Sequence, residues 1–420
     1  MESTRKFSLT QRFPALASRD YVLFVVGQLI SVIGTWMQAT ALPYLAYRIS
    51  GRPLDLGIIG FSNTLPTLLF ALPAGVLVER WDKRKTVILF QAIMSIQAFG
   101  LAYLTFTGKI QIWHIVFLAF FYGSAVSVEV TARQAMLVEL AGREALPSAI
   151  ALQTTAFNVG RVLGPLGAAW IISAAGNEGS VFLVNGISFI FVIIGLFLAK
   201  TRYRIPNEKG TERNLRGEFK EGLLYIRSNP AVISIILLAA LIGFFGIPLV
   251  QQIPAFARDV LNTAVDTETM IASRTSNLYA AQGVGALIAA FLAAYLSSSN
   301  KQKMLLLGQI SFMIPIIVLG FNRNINIALF LLVFIGWGTV TQLVTMNTLI
   351  QTQVPDALRG RVFSIYFWAL QGVAPFGSIV IGWMAQTWGV PAATVIGGTI
   401  CLLGVIAVRL LLPNASQSSA

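Results

Sequence analysis

Residues Gly75 to Lys85, which read GVLVERWDKRK, form a short charged turn between two long apolar stretches of the chain. The acids Glu79 and Asp82 stand there among the cations Arg80, Lys83, Arg84 and Lys85. Such a turn is expected where one membrane-spanning helix ends and the next begins. Its charges can also pair with a surface that approaches and withdraws, so we predict that this turn is part of a gate.

The composition of the chain is that of an integral membrane protein. Of 420 residues, 56% are hydrophobic and 11% are charged, and the mean hydropathy is +0.74. In soluble proteins about a quarter of the residues are charged. Lipid cannot satisfy free backbone groups, so the spans must be helices of about 20 residues, which cross ~30 Å of hydrocarbon. We predict twelve spans, near residues 21–46, 54–78, 86–107, 112–137, 147–175, 180–199, 230–256, 271–297, 303–321, 326–351, 360–387 and 390–412.

Basic residues are distributed unevenly between the predicted loops. If both termini face the cytoplasm, most of the 30 Lys and Arg residues lie in cytoplasmic segments. The outer segments hold only Arg48, Arg52, Lys109, Arg258, Arg274 and Arg323. Because cytoplasmic loops are enriched in Lys and Arg, we predict that both termini are cytoplasmic. The net charge of +13 then follows from topology and from attraction to anionic lipid, and nucleic-acid binding is not expected.

Residues that bind metals or act as nucleophiles are scarce. The chain has one Cys, Cys401, and one His, His114, so it can form neither an internal disulfide nor a Cys/His metal site. It has no GxxxxGK[ST] loop that would hold ATP and no catalytic constellation. We therefore expect no metal, no cofactor and no enzymatic activity, and any energy source must be an ion gradient or the substrate's own gradient.

A long polar segment, from Lys200 to Arg227, divides the predicted spans into two groups of six. Residues 218–226 place apolar side chains at helical spacing, so we expect either an amphipathic helix on the membrane surface or a solvated connector there. The predicted domains are an N-terminal six-helix bundle at 1–200, a cytoplasmic linker at 201–229 and a C-terminal six-helix bundle at 230–420.

The two halves are related in sequence. One constant offset pairs Lys85 with Lys303, Gln91 with Gln309, Glu129 with Asn347 and Arg133 with Gln351. The chain is therefore predicted to be an all-α membrane protein with twelve transmembrane helices in two pseudo-symmetric six-helix bundles. In transporters built from such repeats, the substrate site lies between the repeats near the middle of the membrane.

The predicted gate combines the first turn with a second cytoplasmic loop. Its residues are Gly75, Glu79, Arg80, Asp82 and Arg84, together with Asp356, Arg359 and Arg361 at the start of span 11. If the halves meet at the cytoplasmic face, Glu79 can pair with Arg359 or Arg361, or accept hydrogen bonds from the first amides of span 11. Such contacts would favour a state open to the outside. The alternative is a basic loop that only anchors the chain to lipid.

Charged residues inside the predicted spans are candidates for proton coupling. Glu129 and Arg133 lie one turn apart on span 4, and Arg161 lies in span 5 at a depth from which its side chain could reach Glu129. Charges at this depth are costly and normally face a cavity or a partner. We predict that Glu129 carries the proton and pairs with Arg133 or Arg161. The alternatives are a purely structural ion pair, or proton transfer at Asp20 at the start of span 1.

Polar residues recur along single faces of otherwise apolar spans, as in helices that line a cavity. The predicted cavity residues are Gln28, Ser31, Thr35, Trp36 and Gln38 in span 1, Asn158 in span 5, and Asn347 and Gln351 in span 10. Span 5 also combines small residues with a proline, for which we predict close helix packing and a bend. These residues are Gly160, Gly164, Pro165 and Gly167.

Two of these stretches resemble signatures of a known family. The turn, written Gly75-x-Leu77-x-Glu79-Arg80-x-Asp82-Lys83-Arg84-Lys85, resembles the loop signature GxLxDRxGRR of the major facilitator superfamily, with Glu and Asp where Asp and Gly are usual. Gly160-x-x-x-Gly164-Pro165-x-Gly167 is similar to its antiporter signature, with Ala168 in place of the closing Gly. The runs 128–134, 158–165 and 355–362 resemble the branch of enterobactin exporters and macrolide efflux proteins, in which an Asp and a Pro are common where Glu129 and Thr131 stand.

The resemblance implies the major facilitator fold, alternating access and export driven by the proton gradient across a bacterial inner membrane. The expected partners are protons, anionic lipid and an amphipathic small molecule, siderophore-like or drug-like, and the protein is expected to be a monomer. Two alternatives within transport are a uniporter and a lysophospholipid flippase. A membrane sensor or an integral membrane enzyme is disfavoured, because neither a soluble domain nor a catalytic constellation remains outside the spans.

Overall fold

The structure is a computed structural model that describes residues 13–200, 215–263, 265–295 and 300–412. Within these ranges it describes all side chains except those of residues 71, 72, 76, 77, 79, 215–220, 293–295 and 357. Every regular element in the described ranges is helical. The first half contains α1 (Arg19–Ser50), α2 (Pro53–Arg80), α3 (Lys83–Phe106), α4 (Ile112–Ala141), α5 (Leu146–Ala175) and α6 (Gly179–Leu198). The linker contains α7 (Leu215–Ser228). The second half contains α8 (Pro230–Leu241), α9 (Ile247–Gln251), α10 (Ile253–Asp259), α11 (Glu268–Tyr295), α12 (Lys301–Phe321), α13 (Ile325–Gln353), α14 (Asp356–Phe367), α15 (Ala374–Trp388) and α16 (Val390–Leu411).

The helices confirm a multi-pass membrane protein. Among the described residues, nine helical stretches are long and apolar enough to cross a membrane. Three more helices, α2, α5 and α11, have 28, 30 and 28 residues and also exceed the length that a bilayer requires. The count of twelve spans stays a prediction. Large apolar side chains point outward, as expected in lipid: Ile96, Trp170 and Leu411 are 70%, 73% and 78% exposed.

The charged turn at the end of α2 is a helix boundary, as predicted. α2 ends at Arg80, and Asp82 is the N-cap residue of α3, where its Oδ1 accepts a hydrogen bond from the backbone N–H of Lys85 at 3.0 Å. Asx caps of this kind satisfy amide groups that a helix start leaves free. The sequence therefore stops one helix and starts the next within two residues.

Helix packing divides the described residues into two groups. α1 packs against α5 and α6, and α4 packs against α2 and α3. In the second half, α13 packs against α11 and α12, and α16 packs against α12 and α15. The main contacts between the groups are made by α2 with α15 and by α5 with α11.

Glycines allow the backbones of the two groups to touch. A Cβ atom added at Gly57 of α2 would lie 2.3 Å from the carbonyl oxygen of Ser378. One added at Gly283 of α11 would lie 2.4 Å from the carbonyl oxygen of Arg161. Small residues permit such close approach between membrane helices. Both contacts are therefore specified by glycine rather than by interlocking side chains.

Two predicted spans, the seventh and the eleventh, are interrupted in a way the sequence pattern did not indicate. A π-helical turn at Ile242–Gly246 separates α8 from α9, and another at Trp368–Gly372 precedes α15. The two turns lie against each other, because a Cβ atom at Gly243 would lie 2.1 Å from the carbonyl oxygen of Leu370. The predicted seventh span also breaks at Gln252, the residue between the end of α9 and the start of α10.

We call the end of the molecule that carries α7 and the turn at Trp81–Asp82 the linker end. There α7 packs against α14, and Glu221 of α7 forms an ion pair with Arg361. Ile226 of α7 is buried, and the Tyr225 hydroxyl donates a hydrogen bond to the Gln353 carbonyl oxygen at 3.4 Å. The predicted helix at 218–226 is therefore present and is attached to the second half.

Candidate functional site

A cavity of about 360 Å³ lies between the two halves. Helices from both halves contribute to its wall, including α1, α2, α3 and α4 from the first and α9 and α11 from the second. Its lining residues are Thr35, Trp36, Gln38, Ala39, Leu42, Pro43, Leu56, Ile59, Gly60, Asn63, Gln97, Ala119, Tyr122, Val250, Gln251 and Tyr279. Small-molecule pockets in proteins typically enclose about 300–1,000 Å³, so the volume suits a small ligand.

The cavity wall is apolar and aromatic with uncharged polar groups. No Asp, Glu, Lys or Arg is among the lining residues. The polar groups are amides and hydroxyls, namely those of Thr35, Gln38, Asn63, Gln97, Tyr122, Gln251 and Tyr279. Such a wall favours a molecule that is largely apolar and carries a few hydrogen-bonding groups.

Two cavity side chains have hydrogen-bonding atoms that the described residues leave unsatisfied. Nε2 of Gln97 and Oε1 of Gln251 are buried without a partner. Gln97 belongs to the first half and Gln251 to the second, and each offers one group that a ligand could satisfy. A buried polar atom without a partner costs free energy. A ligand that hydrogen-bonds both amides would therefore hold the two halves together.

Hydrogen bonds to two neighbouring amides fix the orientation of the Gln38 side chain in the cavity wall. Its Oε1 accepts a hydrogen bond from Asn185 Nδ2 at 2.9 Å, and its Nε2 donates to Gln97 Oε1 at 3.3 Å. Thr35, one turn away, lines the same cavity as Tyr122. These bonds pre-organise the amide groups of α1, α3 and α6 before any ligand binds.

Glu129 is buried, with 3% of its surface exposed, and has three polar contacts. Arg133 Nε lies 3.0 Å from Oε1 and 3.3 Å from Oε2, and Gln91 Nε2 donates to Oε1 at 3.0 Å. Glu129 lies seven residues beyond the cavity residue Tyr122 on α4, about 10 Å closer to the linker end. Along α4, the charged cluster therefore lies between the cavity and the linker end.

Arg161 does not pair with Glu129. Its guanidinium lies over the ring of Trp36, 5.4 Å from the ring centroid, and it forms no ion pair with any described carboxylate. Of the two predicted partners of Glu129, the structure therefore selects Arg133. A cation over an indole face is favourable when both are shielded from water, so Arg161 fixes Trp36 at the interface between the halves.

Asp20 has a different environment. Its Oδ2 accepts a hydrogen bond from the backbone N–H of Lys200 at 2.9 Å, which connects the start of α1 with the residue that follows α6. This places Asp20 at a helix end, apart from the Glu129 cluster.

The described contacts of the predicted gate residues each lie within one half or between the second half and α7. Arg359 pairs with Asp356, and Arg361 pairs with Glu221 of α7. Arg84 donates to the Phe197 carbonyl oxygen at 3.1 Å, and Arg80 is exposed. Gly75 has open space around it. The side chain of Glu79 lies outside the described residues, so its predicted partner stays a prediction.

The opposite end of the molecule carries contacts between the halves that the sequence did not indicate. The Tyr44 hydroxyl donates to the Glu268 carbonyl oxygen at 2.7 Å, and the Tyr47 hydroxyl donates to the carboxylate of Asp259. Glu268 also pairs with Arg258. We call these contacts of α1 with residues 258–268 the outer tie. The sequence features that could have indicated these contacts are the two tyrosines near the end of α1 and the acids after α9.

The two ends therefore differ. The outer tie joins the two halves at one end, whereas the described ion pairs at the linker end do not join them. At that end Thr154 and Gln351 are exposed.

Several predicted cavity residues do not line the cavity. Gln28 and Ser31 are buried inside the first half, where α1 packs on α5 and α6. Asn158 donates to the Thr154 carbonyl oxygen of its own helix at 2.9 Å. Gln351 donates to Asn347 one turn away, so this pair forms a neutral counterpart of Glu129 and Arg133. Polar periodicity alone did not distinguish a cavity wall from a helix contact.

The glycines of α5 bring α1 close, as predicted. A Cβ atom at Gly160 would lie 2.6 Å from Val32 Cγ1, and one at Gly164 would lie 2.4 Å from Trp36 Cβ. At Gly167 the nearest atom is the Met37 sulfur at 3.4 Å, which a methyl group would tolerate. Pro165 lies inside the helix and is buried. Gly160 and Gly164 thus set the position of Trp36.

No group of three His, Cys, Asp or Glu side chains in the described residues could hold a metal ion.

Known proteins resemble the chain along most of its length. It is 24% identical over 412 residues to the multidrug efflux pump Tap of Mycolicibacterium fortuitum, with 96% of each chain covered. It is also 24% identical over 390 residues to the enterobactin exporter EntS of Escherichia coli O1:K1, covering 92% of this chain and 90% of EntS.

Solved structures agree on the fold. The nucleoside transporter NupG superposes with a TM-score of 0.70 at 11% identity, covering 93% of this chain and 98% of NupG. A bacterial homologue of the human lysosomal transporter Spinster, solved in an inward-facing and unoccupied conformation, gives a TM-score of 0.70 at 14% identity. The match covers 96% of this chain and 98% of the homologue. At these identities the similarity concerns the fold alone.

The family model described as transmembrane secretion effector matches residues 11–420. Because this match covers nearly the whole chain, the protein belongs to the transmembrane secretion effector family of the major facilitator superfamily.

Proposed function

We propose that the protein is a secondary active transporter of a bacterial inner membrane that exports an amphipathic small molecule in exchange for protons. Two relatives, Tap and EntS, carry names for drug efflux and for enterobactin export. These cargoes differ, so the proposal names a class, siderophore-like or drug-like, rather than one compound. The uncharged aromatic and amide wall of the cavity supports an amphipathic cargo.

The observation that carries the proposal of proton coupling is the buried Glu129 cluster. Burying an unpaired carboxylate in the membrane costs free energy. Binding of a proton neutralises the carboxylate. Protonation removes the attraction to Arg133 and frees its guanidinium. Glu129 therefore carries the proton, and Arg133 transmits the change to the path between the cavity and the linker end. Asp20 is the alternative carrier.

Alternating access follows from two halves that move against each other. The halves are residues 1–200 and 230–420, joined by the linker at 201–229, with both termini on the cytoplasmic side. In the second state the outer tie opens and the linker end closes, with Glu79 near Arg359 and Arg361. The uneven distribution of basic residues supports this orientation and contact with anionic lipid. The protein works as a monomer.

The test is transport by purified protein in liposomes that contain a pH-sensitive dye. A catecholate siderophore, a macrolide and a lipophilic cationic dye are supplied in turn, and the internal pH is followed. We expect one class to drive proton movement in the opposite direction. Cargo movement without any pH change would instead identify a uniporter, and no movement of any class would contradict the proposal.

The Glu129→Gln variant identifies the proton carrier. We expect it to lose cargo-driven proton movement while it still exchanges labelled for unlabelled cargo, because the cavity itself is unchanged. Glu178→Gln is the matched control, since Glu178 is also buried and ion-paired, with Arg48, but at the other end of the molecule. Proton movement that persists in Glu129→Gln would transfer the role to Asp20.

A further inference from the structure

A second cavity, of about 220 Å³, lies inside the second half at its linker end. It is formed by the first turns of α8 and α12 and the last turns of α13 and α16. Its wall is mostly apolar, with Ser234, Gln302, Gln353 and Arg409 as its polar residues. It has no residue in common with the cavity between the halves, so the transport function proposed above does not explain it.

Arg409 pairs with no carboxylate of the described residues. Its Nη2 donates to Gln309 Oε1 at 2.9 Å, and its Nε is buried with no partner among the described residues. After Glu268 the sequence contains a single acid, Asp356, which is exposed and pairs with Arg359. Glu221 of the nearby α7 pairs with Arg361. The guanidinium is therefore held in place by Gln309 and left with unused donors.

The sequence repeat allows Arg409 to be compared with the charged pair of the first half. Gln91 in the first half and Gln309 in the second are equivalent in the sequence repeat, and each binds a charged side chain. Gln91 donates to the carboxylate of Glu129, whose charge Arg133 balances. Gln309 accepts from Arg409, whose charge no described residue balances. An external anion would balance this charge.

We propose that this cavity binds the phosphate headgroup of an anionic phospholipid from the leaflet at the linker end. Arg409 donates to the phosphodiester oxygens. Gln353, whose Oε1 is also buried without a partner, accepts a hydrogen bond from a headgroup hydroxyl. Glycerol headgroups carry both features, an anionic oxygen and a donor.

Two observations favour a lipid over free phosphate. The cavity walls next to Arg409 are the apolar residues Ile235, Leu238 and Leu305, which suit acyl chains rather than a hydrated ion. The surface of α16 beside Arg409 is also apolar and exposed, with Leu410 and Leu411 at 74% and 78%. Basic pockets between helices near this interface attract anionic headgroups.

The test uses the purified full-length protein in detergent, whose eight Trp residues report unfolding by fluorescence. Dioctanoyl phosphatidylglycerol, dioctanoyl phosphatidylcholine and inorganic phosphate are titrated separately, and the melting temperature is recorded. We expect a saturable rise with phosphatidylglycerol only. An equal rise with phosphatidylcholine would overturn anion recognition, and an equal rise with inorganic phosphate would overturn the lipid assignment.

Variants locate the site. Arg409→Gln is expected to raise the half-saturating phosphatidylglycerol concentration about tenfold or more, because hydrogen bonds to a charged group are lost. Lys303→Gln is the matched control: it removes the same charge from the same end but lies outside the cavity, so binding is expected to be nearly unchanged. Equal weakening in both variants would overturn the proposal.

A third variant keeps the charge and fills the space. Leu238 is buried in the wall, and Leu238→Trp occupies the cavity while Arg409 is retained. It is expected to reduce phosphatidylglycerol binding as strongly as Arg409→Gln. This variant decides the question if Arg409→Gln does not fold. Binding like that of the wild type in Leu238→Trp would show that the lipid lies elsewhere.

Discussion

Arg133 Nε lies 3.0 Å from Glu129 Oε1, one helical turn away on α4. At the equivalent place in the second half, Gln351 donates a hydrogen bond to Asn347 with the same spacing of four residues. The two halves therefore share a side-chain pair that is charged in the first and neutral in the second. Of these two pairs, only the charged one contains a carboxylate that a proton can neutralise, so the proposed proton coupling is assigned to the first half.

Copying the neutral pair into the first half separates stability from coupling. Arg133→Gln alone is expected to destabilise the fold by about 3–5 kcal/mol, because Glu129 then stays buried without its cation. The double variant Glu129→Asn, Arg133→Gln reproduces the Asn347–Gln351 pair and is expected to regain most of that stability. Thermal unfolding measures the first effect, and cargo-driven pH change in liposomes measures the second, which we expect to be lost.

The outcome that would contradict this assignment is specific. If the double variant still moves protons against cargo, neither Glu129 nor Arg133 is needed for coupling. If Arg133→Gln is as stable as the wild type, the 3.0 Å contact contributes little.

The sequence predicted the helices well because lipid imposes a simple rule on length and polarity. It also predicted the Glu129–Arg133 pair, since residues four apart on a helix share a face. Depth alone suggested Arg161 as an equal partner, but depth says nothing about the direction in which a side chain points around its helix. The fold directs Arg161 to Trp36 instead.

The cavity could be predicted only in part. Thr35, Trp36 and Gln38 were identified from one helix, but Gln251 and Tyr279 come from helices of the other half and depend on how the halves meet. In a membrane helix both lipid-facing and buried positions are apolar, so polarity does not show which neighbour a residue contacts. The π turns and the outer tie depend on tertiary contacts in the same way.

Removal of one hydroxyl from the outer tie should favour opening at that end. Tyr47→Phe deletes the hydrogen bond to Asp259 and leaves the ring in place. A net hydrogen bond contributes about 1 kcal/mol, so the open state should become about fivefold more populated. The measurement is the rate at which a membrane-impermeant maleimide labels Asn63→Cys in the cavity from the outer side.

Tyr103→Phe is the matched control for this experiment. Tyr103 lies near the end of α3 at Phe106, at the same end of the molecule as the outer tie, and is 64% exposed. Loss of its hydroxyl should therefore leave the labelling rate unchanged. Equal rates in Tyr47→Phe and the wild type would mean that the tie does not restrain opening.

The packing of α1 on α5 predicts a contrast between two glycines. In Gly164→Ala the new methyl group would lie 2.4 Å from Trp36 Cβ, which forces the helices apart and costs about 1–3 kcal/mol. In Gly100→Ala the methyl group meets nothing within 4 Å, so helix propensity should stabilise the fold by up to about 1 kcal/mol. Opposite shifts in melting temperature are expected. Shifts of the same sign would contradict the packing at Trp36.

The ion pair between Asp266 and Arg274 should make the stability of the fold depend on pH in the acid range. Asp266 accepts a hydrogen bond from the backbone N–H of Thr263 at 2.8 Å and pairs with Arg274 at 2.6 Å, and these contacts hold the pKa of its carboxyl below the usual range. Because the pKa is lower in the folded than in the unfolded state, the pair stabilises the fold above the ordinary Asp pKa of ~3.9. This stabilisation is lost as the pH falls through the depressed pKa. Asp266→Asn should therefore melt below the wild type at neutral pH and converge with it in acid, whereas Asp356→Asn, at a carboxylate 88% exposed, should follow the wild type throughout. A gap between Asp266→Asn and the wild type that does not change with pH would mean that the carboxylate charge is not what stabilises this loop.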